Sequence, residues 1–119
     1  MPVLNPATEE QIGTVALGNS ADVDSAVAAA KSAFDSFSLT SKADRLALLK
    51  ALKAVTEKRF EDLAQAMRIE MGAPISMARD AQADAAMGHL IGFLEALETL
   101  EERCVLSNNN ILIHKPIGV

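Results

Sequence analysis

Tryptophan and tyrosine are absent from these 119 residues, and four phenylalanines are the whole aromatic complement. A core must therefore be built from Ala, Leu, Ile, Val and Met, which hold helices close together but bury little area per residue. Marginal stability in isolation is the expectation. The missing aromatics also remove the stacking platforms of single-strand nucleic-acid binders. Basic side chains are outnumbered, 11 against 16 acidic, for a net charge of −5, so the electrostatic footprint of a nucleic-acid protein is lacking as well. One cysteine, Cys104, cannot close an intramolecular disulfide. No apolar run is long enough to cross a bilayer. The start, Met1-Pro2-Val3-Leu4-Asn5-Pro6, has neither the basic nor the long apolar part of a secretory signal. The glycines form neither GxGxxG nor GxxxxGK(S/T), the patterns that cradle phosphates. The expectation is a single cytoplasmic unit with no nucleic-acid or membrane partner.

What is present is half hydrophobic and patterned mainly for helices. Residues 1–19 carry Pro2, Pro6, Gly13 and Gly18, with candidate strands near Val3–Leu4 and Ile12–Leu17. Asn5-Pro6 between them has turn chemistry, so a β-hairpin or paired arms are expected. Ser20 reads as an N-cap, with Asp22 in the first turn where the helix dipole favours a negative charge. Val23, Val27, Ala30, Phe34 and Phe37 then recur at helical spacing and predict a helix over 21–37. Ser41 and Asp44 resemble a capping box. An apolar stripe through Leu46, Leu49, Leu52 and Val55 is interrupted at 56–59 and resumes at Phe60, Leu63, Met67 and Met71. It predicts one kinked helix or two helices from 42 to 71, stopped by Gly72 and kept from resuming by Pro74. Ser76 can cap a third helix over 77–101 with Met87, Leu90, Ile91, Leu94 and Leu97 inward. Glu98, Glu101 and Glu102 at its end oppose the dipole, and Arg103 offsets them in part. Residues 104–106, Asn108-Asn109-Asn110 and 111–114 read as strand, turn and strand, since Asn tolerates left-handed backbone angles. The fold expectation is mostly α with short β elements: β arms over 1–19, a helical region over 20–103 and a strand arm over 104–119. The final stretch, Ile111 to Val119, reads as a strand entering an apolar run with no closing helix, which suggests the opening part of a larger fold.

The residues able to carry chemistry do not assemble into a site on sequence grounds. A reactive cysteine needs a helix N-terminus or a nearby cation. Cys104 instead follows a helix C-terminus behind three glutamates, where the local field opposes a thiolate. His89 and His114 lack neighbours at metal-ligand spacing. The pairs Glu9-Glu10 and Glu101-Glu102 read as solvated faces. Gly88 and Gly92 form a GxxxG whose charged flanks suit a close helix crossing in a soluble protein. The expected catalytic, cofactor-binding and metal residues are therefore none.

The order of signals nonetheless resembles a family. Asn5-Pro6-Ala7-Thr8-Glu9-Glu10-Gln11-Ile12-Gly13, then Ala21-Asp22-Val23-Asp24-Ser25-Ala26-Val27 with Ala33-Phe34, resembles the start of the NAD(P)-dependent aldehyde dehydrogenases. Arg45 with Leu48-Leu49, Glu70-Met71-Gly72-Ala73-Pro74-Ile75, and Lys115-Pro116-Ile117-Gly118-Val119 continue the resemblance in order. It covers essentially the whole chain. Phe37 departs from it, since relatives usually carry Trp there, but an aromatic is kept.

The resemblance implies a partial aldehyde-dehydrogenase-like fold from a family several times longer than this chain. The family's Pro-Trp-Asn loop, glycine-bearing cofactor motif, glutamate base and nucleophilic cysteine have no counterpart here, and neither Cys104 nor Asn108–Asn110 matches a catalytic position. Aldehyde oxidation of this kind needs a thiolate, an oxyanion hole, a hydride acceptor and a base for deacylation. The resemblance thus implies NAD or NADP in the parent family, none bound by this chain, and no activity alone. It further implies that the helices scaffold the cofactor domain, and that residues 104–116 match part of an arm through which subunits pair sheets, so that homo-oligomers form by strand pairing. Some relatives hold a monovalent cation near the positions of Val3-Leu4 and Asp84, although a solvated helix aspartate is the simpler reading of Asp84. The alternative to a scaffold segment is a free-standing helical interaction module that self-associates through exposed strands.

Overall fold

A computed structural model describes residues 1–118. Val119, the last residue of the expected strand arm, lies outside the described residues. The chain is mostly helical, with two separate pairs of short antiparallel strands. The first pair is β1 (Pro2–Leu4) and β2 (Gln11–Thr14), with a bulge between Val3 and Leu4. Its second strand ends at Thr14 rather than Leu17, because only Val15 N–H and O continue the pairing, onto Met1. The expected turn chemistry is seen at Asn5, whose Oδ1 accepts from Ala7 N–H at 2.9 Å and whose carbonyl accepts from Glu9 N–H at 2.7 Å.

Helix α1 (Ser20–Phe37) is capped by Asn19 and not by Ser20. Asn19 Oδ1 accepts from the Ala21 and Asp22 N–H groups, and Asp22 Oδ2 accepts from Asn19 N–H at 2.8 Å. The reciprocal box needs its acid three residues on, and only Asn19 has Asp22 at that offset. Helix α2 (Lys42–Lys58) starts on the Ser41–Asp44 capping box as expected. The predicted interruption is the single residue Arg59, after which α3 (Phe60–Met71) begins. Gly72 ends α3 in the left-handed region, φ 65°.

The third helical run differs from its expected form. It begins at Ile75 with Pro74 at the cap position, and Ser76 lies inside the first turn and caps nothing. Pro suits the start of a helix because its missing N–H is not needed there. A first turn, α4 (Ile75–Met77), leads into a π-helical turn, Ala78–Ala83, and then α5 (Asp84–Thr99). The π-helical turn packs on α3, and α2 packs on α5. Ala64, Ala78 and Ala83 are completely buried, and their small side chains permit the close approach. Met87 and Leu94 complete the buried set among the described residues. Each of these two large side chains contributes about 1.5–3 kcal/mol by burial, so the core is thin. The second strand pair, β3 (Arg103–Val105) and β4 (Ile111–Ile113), is a hairpin with Asn109 at φ 62° in its tip, the role expected of the triple Asn.

Candidate functional site

No catalytic constellation forms among the described residues. Cys104 is half-buried on β3, with its Sγ 3.7 Å from the Glu101 carbonyl oxygen. His89 is exposed on α5, and His114 follows β4, where its N–H donates to the Glu102 carbonyl at 2.9 Å. Asp84 is exposed, and no three His, Cys, Asp or Glu side chains converge among the described residues. Glu9, Glu10 and Glu101 are exposed; Glu102 is half-buried.

The N-terminus of α1 does not suit a dinucleotide. Its pyrophosphate needs free N–H groups at a helix N-terminus and a glycine cradle. The N-terminus of α1 has its amides taken by Asn19, and the Asp22 carboxylate lies 3.8 Å from the place a side chain on Gly18 would occupy. An anion there would meet a carboxylate.

What the chain does present is unpartnered apolar surface. Among the described residues α1 buries no side chain; Val23 and Phe37, placed on its apolar stripe by the sequence, are exposed. The GxxxG of α5 is open: a methyl group on Gly88 or Gly92 would find nothing within 4 Å, so the expected close crossing is not made among the described residues. Beside it, Leu49, Phe93, Ala96, Leu97 and Leu100 line an almost wholly apolar groove of about 490 Å³. Phe93 in that groove is 65% exposed. The accessible surface is 8875 Å², against about 6,200 Å² for a compact monomer of this mass. The radius of gyration is 19.8 Å, against about 13–14 Å for a compact domain of this length. The surplus of more than 2,000 Å² exceeds what one partner contributes to an ordinary protein interface, about 800 Å².

Polar links fasten the ends of this structure. Lys42 Nζ donates to the carbonyls of Glu98 at 2.8 Å and Leu100 at 2.9 Å, so a cation from α2 caps the end of α5. The sequence assigned that role to Arg103; the residue that fills it is more than fifty positions away. Arg45 joins Thr40 to Glu102. Arg79, in the π-helical turn, grips Glu61 of α3 with a two-pronged fork at 2.8 and 2.7 Å. The Arg79 hydrogen bonds, then one from Gln65, hold the Glu61 carboxyl down at about 2. At the other end of α3, Gly72 sits against the β1–β2 turn, so that an added Cβ would come within 2.9 Å of Pro6 Cγ.

Comparison with known proteins matches this architecture. The model of the aldehyde dehydrogenase family matches residues 1–119. A Staphylococcus aureus protein named "Putative aldehyde dehydrogenase" is 40% identical over 119 residues, covering 98% of this chain and 24% of its own. The crystal structure of aldehyde dehydrogenase from Bartonella henselae superposes with a TM-score of 0.90 at 35% identity, over 95% of this chain and 24% of that one. A mutant of aldehyde dehydrogenase C from Pseudomonas syringae, in complex with NAD+ and octanal, gives a TM-score of 0.85 at 42% identity, over 89% of this chain and 22% of that one. The chain thus spans about a quarter of the length of the relatives it matches. By sequence over its whole length and by fold, the chain belongs to the aldehyde dehydrogenase family.

Proposed function

We propose that this chain is a scaffold and self-association segment of an NAD(P)-dependent aldehyde dehydrogenase, in which the parent reaction oxidises an aldehyde to a carboxylic acid. The observation that carries the reading is the unpartnered apolar surface on α1, α2 and α5, set on a family fold of which the chain spans about a quarter. Helices that bury so little of their own apolar stripes gain most from docking on a further body. The chemistry of nucleophile, oxyanion hole and hydride acceptor falls to that body, and the nicotinamide cofactor binds there. The residues of this chain supply packing, the β1–β2 turn seated on Gly72, and the β3–β4 arm. Both outer edges of that arm are open to a second copy within the described chain, which favours pairing by strand addition.

The test is an assay of the purified chain with NAD+ or NADP+ and a panel of aldehydes, following reduced cofactor by absorbance. The expected result is no turnover. Turnover above the protein-free blank contradicts the reading.

A further inference from the structure

We infer that Arg45 is a positioning residue that latches the β3–β4 arm to the helical body, acting through Glu102 and resting on the proposal that the arm is a pairing edge. Arg45 Nη1 donates to Glu102 Oε1 at 3.2 Å, at the base of β3. Its other donors point elsewhere: Nη2 to the Thr40 carbonyl at 2.7 Å and Nε to Thr40 Oγ1 at 3.2 Å. One planar guanidinium therefore joins the α1–α2 linker, the first turn of α2 and the root of the arm. A lysine cannot reproduce this, because its compact ammonium lacks the fixed fork. The Arg45 side chain is 23% exposed, far less than the exposed Lys50 that pairs with Glu98 at 3.1 Å.

The second strand is held at the same place. The Glu102 carbonyl accepts from His114 N–H, and Pro116 and Ile117 lie with Arg45, Phe34 and Phe37 around one shallow pocket. A side chain on Gly118 would come within 3.3 Å of the Phe34 ring. Both strands of the arm are thus fixed within reach of one arginine, although the arm itself buries no residue. With so little apolar contact, its bearing depends on the latch, and the bearing decides where its open edges face.

Cys104, on β3 and two residues from Glu102, serves as the probe of the latch. It is the one thiol, and the one β3 residue turned partly out of solvent. The experiment measures the rate of N-ethylmaleimide labelling of Cys104 in the full chain, with helix content followed by circular dichroism. Arg45→Gln and Glu102→Gln are each expected to raise the rate roughly five- to ten-fold at unchanged helix content, with the double substitution adding little. Arg45→Lys is expected to resemble Arg45→Gln, and Lys50→Gln to match wild type. Rates within two-fold of wild type in both latch variants overturn the inference. So does equal acceleration by Lys50→Gln, or a wild-type rate equal to that of a denatured control. Light scattering on the same samples separates the two readings. Latch-dependent labelling in a chain that stays monomeric supports the latch and refutes strand pairing; association with latch-independent labelling does the reverse.

Discussion

Replacing glycine by alanine at two positions of this chain has opposite consequences, and the structure gives the size of each. Gly72 has φ 65°, where an L-residue pays about 1 kcal/mol. The new Cβ would also stand 2.9 Å from Pro6 Cγ and 3.1 Å from the Ala7 amide nitrogen. Neither neighbour yields easily: one is part of a ring, and the other is backbone in a turn pinned by Asn5. Such overpacking costs about 1–3 kcal/mol. The reduced entropy of the unfolded chain returns about 0.5 kcal/mol, leaving a net loss of about 1.5–3.5 kcal/mol. Gly88 sits inside α5 with nothing within 4 Å of a new methyl group. Alanine there gains about 0.5–1 kcal/mol through helix propensity. Urea unfolding followed by far-ultraviolet circular dichroism reads both. With a slope of about 1 kcal/mol per M, Gly72→Ala lowers the midpoint by about 1.5–3.5 M or abolishes the transition, and Gly88→Ala raises it by up to about 1 M. Midpoints that move in the same direction, or an unchanged midpoint for Gly72→Ala, refute the reasoning.

Two further outcomes follow from local chemistry. Asn19→Ala removes the α1 cap at a cost of about 1 kcal/mol, and because α1 buries no residue the effect is local: amide exchange accelerates over 20–24, while Ser20→Ala leaves it unchanged. An effect of Ser20→Ala with none of Asn19→Ala would return the cap to Ser20. Glu61, held at about 2 instead of the usual 4.5 by Arg79 and then Gln65, stabilises the fold in its charged form. That contribution is whole above pH 4.5 and fades as pH falls through about 2, so the advantage of wild type over Arg79→Gln shrinks across this interval. An advantage independent of pH from neutrality to pH 2 would show that the fork contributes nothing through charge.

Local signals were the legible part of this fold. Ser41-x-x-Asp44, Gly72 before Pro74, and the triple Asn each determine a backbone conformation within a few residues, and each is found where the sequence places it. The neighbouring caps Asn19 and Ser20 were separable only by counting to Asp22. The π-helical turn left no trace, because an alanine-rich stretch such as 78–86 is indifferent to its hydrogen-bond register; packing on α3 at Ala64, Ala78 and Ala83 selects it. Apolar stripes told which faces seek cover but not what covers them, so Val23 and Phe37 read as core and stand exposed. The latch was hidden for another reason. Arg45 and Glu102 are 57 positions apart, and no periodicity links two residues at that distance.

The central proposal is that the apolar faces and strand edges of this folded chain engage a partner. Multi-angle light scattering across a concentration series, coupled to size exclusion, tests it most directly. The expected result is association that grows with concentration and a hydrodynamic size well above that of a compact 119-residue globule. A monomer of compact size at every concentration contradicts it.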